Sequence, residues 1–186
     1  MSLTQIDRMA ALVVIDLQKG IVGLPAVHPG SEIVGRAAQL ARAFREKGLP
    51  VVLVNVAGRA PGRTETQFNF SPPADWTELV PELDRQPGDY TVTKFNVGAF
   101  YGTALEMILR RSGATQIVLA GIATSAGVEA TARAAYDHDF NVVTVIDAMT
   151  DRDAEMHRHC IEKVFPRLGE TATTDEVLRH FQERGR

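Results

Sequence analysis

The chain has 186 residues, 45% of them hydrophobic, enough for one sizeable core and too few to argue for two full domains. Its 20 basic and 23 acidic side chains give a formal net charge of −3 with both signs interspersed, so no basic stripe of the kind that nucleic acid requires is present. One cysteine excludes an intramolecular disulfide framework, and the apolar run 9–15, closed by Asp16, is too short for a signal or membrane span; a single cytoplasmic domain over residues 1–186 is expected.

Short β-branched runs then alternate with longer stretches at helical spacing. Residues 11–15 read as a strand ending at Asp16. A helix over 31–47 follows: Ile33, Val34, Ala37, Leu40, Ala41 and Phe44 fall on one face, and Gly48 supplies the stop. The run 51–56, VVLVNV, is a second strand. Residues 57–89 break the rhythm, with five of the nine prolines and the only tryptophan, Trp76. A short helix over 74–83 fits there. Such a segment reads equally as a lid over a site or as an exposed connection whose Trp76 plugs a helix pair.

Strands follow at 91–93, 117–120 and 141–146, with a weaker one at 170–173; helices are expected over 102–112, 128–138, 154–165 and 174–184. Runs that are apolar throughout, such as NVVTVI, belong to strands covered on both faces, the mark of a parallel sheet. The class is therefore α/β, with helices on both faces of the sheet.

In open α/β sheets ligands bind beyond the carboxyl ends of the strands. Asp16 ends the first strand, Lys94 the third, and a glycine-flanked turn, GIATSAG, follows the fourth. Taken alone, Asp16 is a turn cap and Lys94 a structural ion pair. Together at one edge, with that turn between them, they mark a candidate site. Its tip, position 127, is glycine, so no thiol or hydroxyl stands at the centre.

The stretches ALVVIDLQ, TKFNVGAFYGTALE and GIATSAGVEATARAAYDHDFNVVTVIDAMT, with the closing ETATTDEVL, resemble the isochorismatase-like hydrolases, or cysteine hydrolase superfamily, over nearly the whole chain. The resemblance implies a six-stranded parallel sheet in a three-layer α/β/α sandwich, and homo-oligomers of two or more subunits. It matches Asp16 and Lys94 to the family's aspartate and lysine, and sets Gly127 where most members carry a nucleophilic cysteine. A non-proline cis peptide is implied at Ile122–Ala123, two residues that would border the substrate.

The amidases of that family need a thiolate. Cys160, on the helix before the last strand, reads as packing and cannot replace it. True isochorismatases resemble this chain in having glycine at that point: an aspartic acid protonates the vinyl carbon of an enol ether, and water captures the cation. The expected activity is thus a cofactor-free hydrolysis of a small anionic substrate, with Asp16 as acid. Burial would raise its pKa and Lys94 would oppose the rise. A catalytically silent member that binds a metabolite or serves in an assembly is the competing reading. A relocated nucleophile at Thr124 or Ser125 ranks below both, because neither shows a histidine partner in the sequence.

Arg59, Arg63 and Gln67, in the loop after the second strand, are candidates to meet substrate anions, and Phe100 to line the pocket. Arg133 is expected to pair with a neighbouring acid. No metal site is read, since the stretch NVAGRAPGR lacks the Asp-x-His motif of the family's nicotinamidase branch. His157 and His159, two apart on a helix, point to different faces.

Overall fold

The computed structural model describes residues 3–65 and 72–183. Its six strands form one all-parallel sheet: β1 (Ala10–Ile15), β2 (Val51–Val56), β3 (Tyr90–Lys94), β4 (Gln116–Ile122), β5 (Asn141–Thr150) and β6 (Glu170–Ala172), in the order β3-β2-β1-β4-β5-β6. Every residue of β1 is buried because it pairs with β2 on one side and β4 on the other, with both faces covered. Its side chains alternate between two cores, as the twofold period of a strand requires. Leu12 and Val14 meet Ile33, Leu40 and Phe44 of one helix, α2 (Gly30–Glu46), and Val177 and Phe181 of the C-terminal helix α6 (Thr174–Glu183). On the opposite face Ala11, Val13 and Ile15 meet α3 (Leu105–Arg111) and α4 (Glu129–Asp137). The expected three layers are therefore present.

The chain runs outward from β1 to β3, then returns to lay β4 against the other side of β1. Strand order reverses between β1 and β4, which is where this architecture opens a crevice. The two strands approach so closely there that a β-carbon on Gly121, whose φ is 121°, would lie 2.1 Å from the Ile15 carbonyl oxygen.

Several boundaries differ from the sequence reading. β5 continues to Thr150 instead of stopping at 146, because its register against β4 shifts: Leu119 faces Thr144 but Gly121 faces Met149. Asp147, which reads as a strand end, instead accepts hydrogen bonds from the backbone N and Oγ1 of Thr174 at 2.7 and 2.9 Å, and pairs with Arg36 at 3.0 Å. The helix expected at 102 starts at Leu105, where Thr103 Oγ1 accepts from the Leu105 amide. The stretch 154–165 splits into α5 (Ala154–His159), a wider turn over Cys160–Val164 and a tight one over Phe165–Arg167, Pro166 being unable to continue a helix. No helix covers 74–83; turns and a short 3-10 segment at Pro81–Leu83 replace it. A one-turn helix, α1 (Lys19–Val22), was not anticipated. Among the described residues no helix is long and apolar enough to cross a membrane.

Gly121→Ala is expected to destabilise the protein by about 3 kcal/mol or more, since it combines an unfavourable φ with a backbone clash. Urea unfolding measures this, and an unchanged midpoint would contradict the tight β1–β4 approach.

Candidate active site

Asp16 follows directly on β1. Its backbone N–H donates to Val54 O at 2.9 Å, and the residue turns out of the sheet with φ 53°, in the left-handed region that aspartate tolerates better than most residues. Lys94 ends β3, two strands away, and reaches back across the end of β2. Its Nζ lies 2.8 Å from Asp16 Oδ2 and donates to the Asn96 carbonyl at 3.2 Å. Both side chains are buried, at 3% exposure for the lysine and 7% for the aspartate. The other carboxyl oxygen, Asp16 Oδ1, is buried with no hydrogen-bond partner. Burial pushes the Asp16 pKa up to about 6, and the charge and hydrogen bond of Lys94 hold it from rising further. A carboxyl left half in its acid form near pH 6, with one oxygen unengaged, can give a proton to a bound molecule.

The turn after β4 supplies the facing wall. The Ile122–Ala123 peptide is cis, as the resemblance implied. A π-helical turn, Thr124–Val128, then leads into α4, with the Ala126 and Val128 amides both donating to the Ala123 carbonyl at 3.1 Å. Asp151 clamps the turn: its Oδ2 accepts from Ser125 N at 2.7 Å and Ser125 Oγ at 2.8 Å. Gly127 is buried at the tip, where a β-carbon would stand 3.4 Å from Asp16 Oδ2 and 2.8 Å from Ile15 Cγ2. A side chain at this position would therefore confront the carboxyl directly, and only after Ile15 moved.

Thr124 and Ser125 are engaged elsewhere. Thr124 Oγ1 lies 2.8 Å from His157 Nδ1, the histidine partner that the sequence did not reveal, yet Thr124 is fully buried away from the cavity. Burial, and then the neighbouring His28, lower the pKa of His157. Cys160 sits in the core with its thiol donating to Glu129 Oε2 at 3.0 Å; burial, then Glu129, push its pKa up to about 12, so it is inert as a nucleophile. Arg133 pairs with Glu129 at 2.8 Å, as expected.

These groups open on a cavity of about 640 Å³. Asp16, Lys94, Ile122, Ala123 and Gly127 border it, and Ile21, Val22, Leu24, Val56 and Trp76 give it apolar walls. The proline-rich segment is tied down beside it by Gln18, whose Nε2 donates to the carbonyls of Val56 and Trp76 at 3.0 and 2.9 Å while its Oε1 accepts from Val56 N at 2.8 Å. Lys19 adds ion pairs to Asp75 and Glu78 at 2.9 and 2.7 Å. Trp76 thus lines the cavity instead of plugging a helix pair.

Arg59 lines the cavity; Arg63 is exposed and does not, and Gln67 lies outside the described residues. Phe100 requires a correction: it is a core residue, stacked on His138 at 5.0 Å and near Phe140 at 6.2 Å, because its strand-end loop turns it towards α3 and α4. The sequence reading missed Gln18, Asn96, Asp151 and Arg152. Gln18 had a signal, a polar side chain three residues beyond the apolar run of β1; Asp151 had none, because β5 outruns its apolar stretch. Among the described residues no group of three or more His, Cys, Asp or Glu side chains is placed to hold a metal ion.

A cavity at the switch point of an all-parallel sheet is the arrangement of α/β enzymes that act on small molecules. Comparison with known proteins narrows the class: residues 10–176 match the isochorismatase domain, and the chain belongs to the isochorismatase family, whose members are hydrolases. It is 42% identical over 180 residues to the uncharacterized isochorismatase family protein YwoC of Bacillus subtilis strain 168, covering 92% of this chain and 94% of that one. It is 31% identical over 181 residues to the phenazine biosynthesis protein PhzD1 of Pseudomonas aeruginosa, covering 92% and 86%. A solved isochorismatase family protein from Burkholderia thailandensis superimposes with a TM-score of 0.91 at 41% identity, over 96% of this chain and 98% of that one.

Carbon-detected NMR of the Asp16 carboxyl is expected to show a midpoint near 6 in the wild type. In Lys94→Met the midpoint should rise by about 1 to 3 units, since an opposing cation has been removed. A wild-type midpoint near 4 would contradict the buried, acid-holding environment.

Proposed function

We propose that the protein hydrolyses a small anionic enol ether of the isochorismate type by general acid catalysis, with no covalent enzyme intermediate. The observation that carries this reading is Asp16 Oδ1: a buried, unpartnered oxygen on a carboxyl whose pKa is raised to about 6, at the edge of an apolar cavity. Gly127 supports it, because the residue facing that carboxyl has no nucleophilic atom. The 30% identity over 179 residues to a probable isochorismatase of Pseudomonas chlororaphis agrees in direction.

The step balances as follows. The Asp16 carboxyl gives its proton to the terminal vinyl carbon, whose π electrons form the new C–H bond and leave an oxocarbenium ion. Water adds to the cationic carbon and returns a proton to the Asp16 carboxylate. The resulting hemiketal breaks its C–O bond, releasing an alcohol and a ketone. As Asp16 ionises it becomes a full partner for the Lys94 ammonium 2.8 Å away, so the pair is stronger in the transition state than with the neutral acid. Lys94 therefore lowers the barrier although it depresses the Asp16 pKa in the resting protein.

The acid form is the active form, so kcat/KM should be highest below about pH 6 and fall roughly tenfold per unit above the Asp16 pKa. Asp16→Asn should cost about 10²–10⁴ in kcat and abolish that limb of the profile. The assay follows isochorismate consumption with released pyruvate reduced by a coupled dehydrogenase. Full activity in Asp16→Asn would exclude this mechanism. Absence of turnover on isochorismate and related enol ethers, with retained binding of a small carboxylate, would instead establish a silent binding protein.

A further inference from the structure

Gln18 stands two residues beyond Asp16 and is fully buried. Its side-chain amide has two hydrogens to give and one oxygen to receive, and all are spent on backbone. Nε2 donates to the Val56 and Trp76 carbonyls, and Oε1 accepts from Val56 N. Val56 is the last residue of β2, so one side chain joins the end of that strand to the Trp76 segment. Backbone hydrogen bonds lay the same segment along the chain that leaves Asp16. Val80 N donates to Leu17 O at 3.1 Å, Lys19 N to Glu78 O at 2.9 Å and Gly20 N to Trp76 O at 3.0 Å, with Gln18 and Leu79 opposed as an antiparallel bridge.

The approach leaves no room at position 20. A β-carbon on Gly20 would lie 2.7 Å from Trp76 Cβ and 3.1 Å from the Trp76 carbonyl oxygen. Trp76 borders the cavity together with Ile21 and Val22, the residues that follow Gly20. Its anchors are the ends of β1 and β2, whereas the Gly127 turn follows β4, on the other side of β1. Two walls are therefore anchored on opposite sides of the strand whose end carries Asp16, and Gln18 fixes one of them.

A buried glutamine that holds backbone also occurs far from the cavity. Gln116, at the start of β4, accepts from Asp7 N at 2.9 Å through Oε1 and donates to Gln5 O at 3.3 Å through Nε2. It is 2% exposed and works at the opposite end of the sheet from Asp16. The two glutamines do the same structural task. They differ in what they hold: Gln116 holds the N-terminal segment, and Gln18 holds a wall of the cavity two residues from the acid.

We propose that Trp76 is a specificity-determining contact for the apolar face of the substrate, and that Gln18 is the positioning residue that sets it. The inference rests on the cavity being the substrate site, and it is independent of the chemistry performed there. Removing the Gln18 amide takes the acceptor from the Val56 N–H and one of two donors from the Trp76 carbonyl. The wall then shifts to recover those bonds, because leaving them unmade is costly. Asp16 and Lys94 keep their own contacts, so binding is lost and the acid is not retuned.

Trp76 is the only tryptophan, so its emission reports the wall directly. The test titrates the full chain with cyclohexanecarboxylate, an apolar carboxylate that does not absorb where indole is excited, and in parallel assays isochorismate. In the wild type the probe should change Trp76 emission saturably. Gln18→Met, similar in size but unable to bridge, should weaken probe binding at least about tenfold, the loss of one apolar wall contact. KM should rise by a similar factor with kcat within about threefold, and the midpoint of the pH profile should stay near 6. Gly20→Ala pushes on Trp76 without touching Gln18 and should act in the same direction; it carries the test if Gln18→Met melts early. Gln116→Met should lower the melting temperature and leave probe binding, KM and emission as in the wild type. Emission unmoved by the probe, unchanged binding in whichever of the two site variants folds, or an equal loss in Gln116→Met would each overturn the inference. Asp16→Asn should keep the emission response, so failure of the wall contact and failure of acid catalysis give different results.

Discussion

The Asp16–Lys94 pair is the constraint around which the rest of the molecule is arranged. Two ionisable groups buried together are costly unless they satisfy one another, and here they do so incompletely: Oδ2 meets the ammonium while Oδ1 has no hydrogen-bond partner among the described residues. The partners stand at the ends of strands that are not neighbours, so the contact depends on the register of β1, β2 and β3 and on Lys94 reaching past the β2 end. A slip of one residue in either ladder would turn one partner to the opposite face of the sheet. A parallel sheet buried on both faces prevents that slip, since each strand residue already has a place in one of two cores.

Around the pair, the protein spends its buried polar groups on holding backbone in place. Gln18 binds the β2 end to the Trp76 segment, Asp151 binds the Gly127 turn to the rim, and Thr124 engages His157. The consequence is a cavity whose rim segments are tied together by hydrogen bonds, in which Asp16 Oδ1 is the one buried, unsatisfied polar atom among the described side chains. Glycine at position 127 belongs to the same design, because a side chain there would press on Ile15 and cover the carboxyl. An acid left bare beside a cation that stabilises its conjugate base suits proton donation better than it suits support of a nucleophile.

The parts of this arrangement that were legible in the sequence are those with local signals. Uninterrupted β-branched runs announce a buried parallel sheet, and a charged residue closing such a run announces a strand end, which located Asp16 and Lys94. The same rule misled at Asp147, where β5 continues past the charge through a register shift that only its partners β4 and the start of α6 explain. Phe100 and Arg152 show the other limit. One sits in a promising motif but turns into the core; the other sits in an unremarkable loop but borders the cavity. Which way such residues face is decided by how the crossovers return to the sheet, and no short stretch of sequence encodes that. Arg59 was recoverable because its loop follows directly on the strand beside β1.

In the proposed mechanism Asp16 delivers a proton to carbon and no bond to the enzyme forms. Its most direct test is hydrolysis of isochorismate in deuterated, ¹⁸O-enriched water with mass analysis of both products. Acid catalysis by Asp16 places one solvent deuterium in the methyl group of the released pyruvate and no ¹⁸O in the ring hydroxyl, since the vinyl C–O bond is the one that breaks. Appearance of ¹⁸O in the ring hydroxyl, or a methyl group without solvent deuterium, would contradict it.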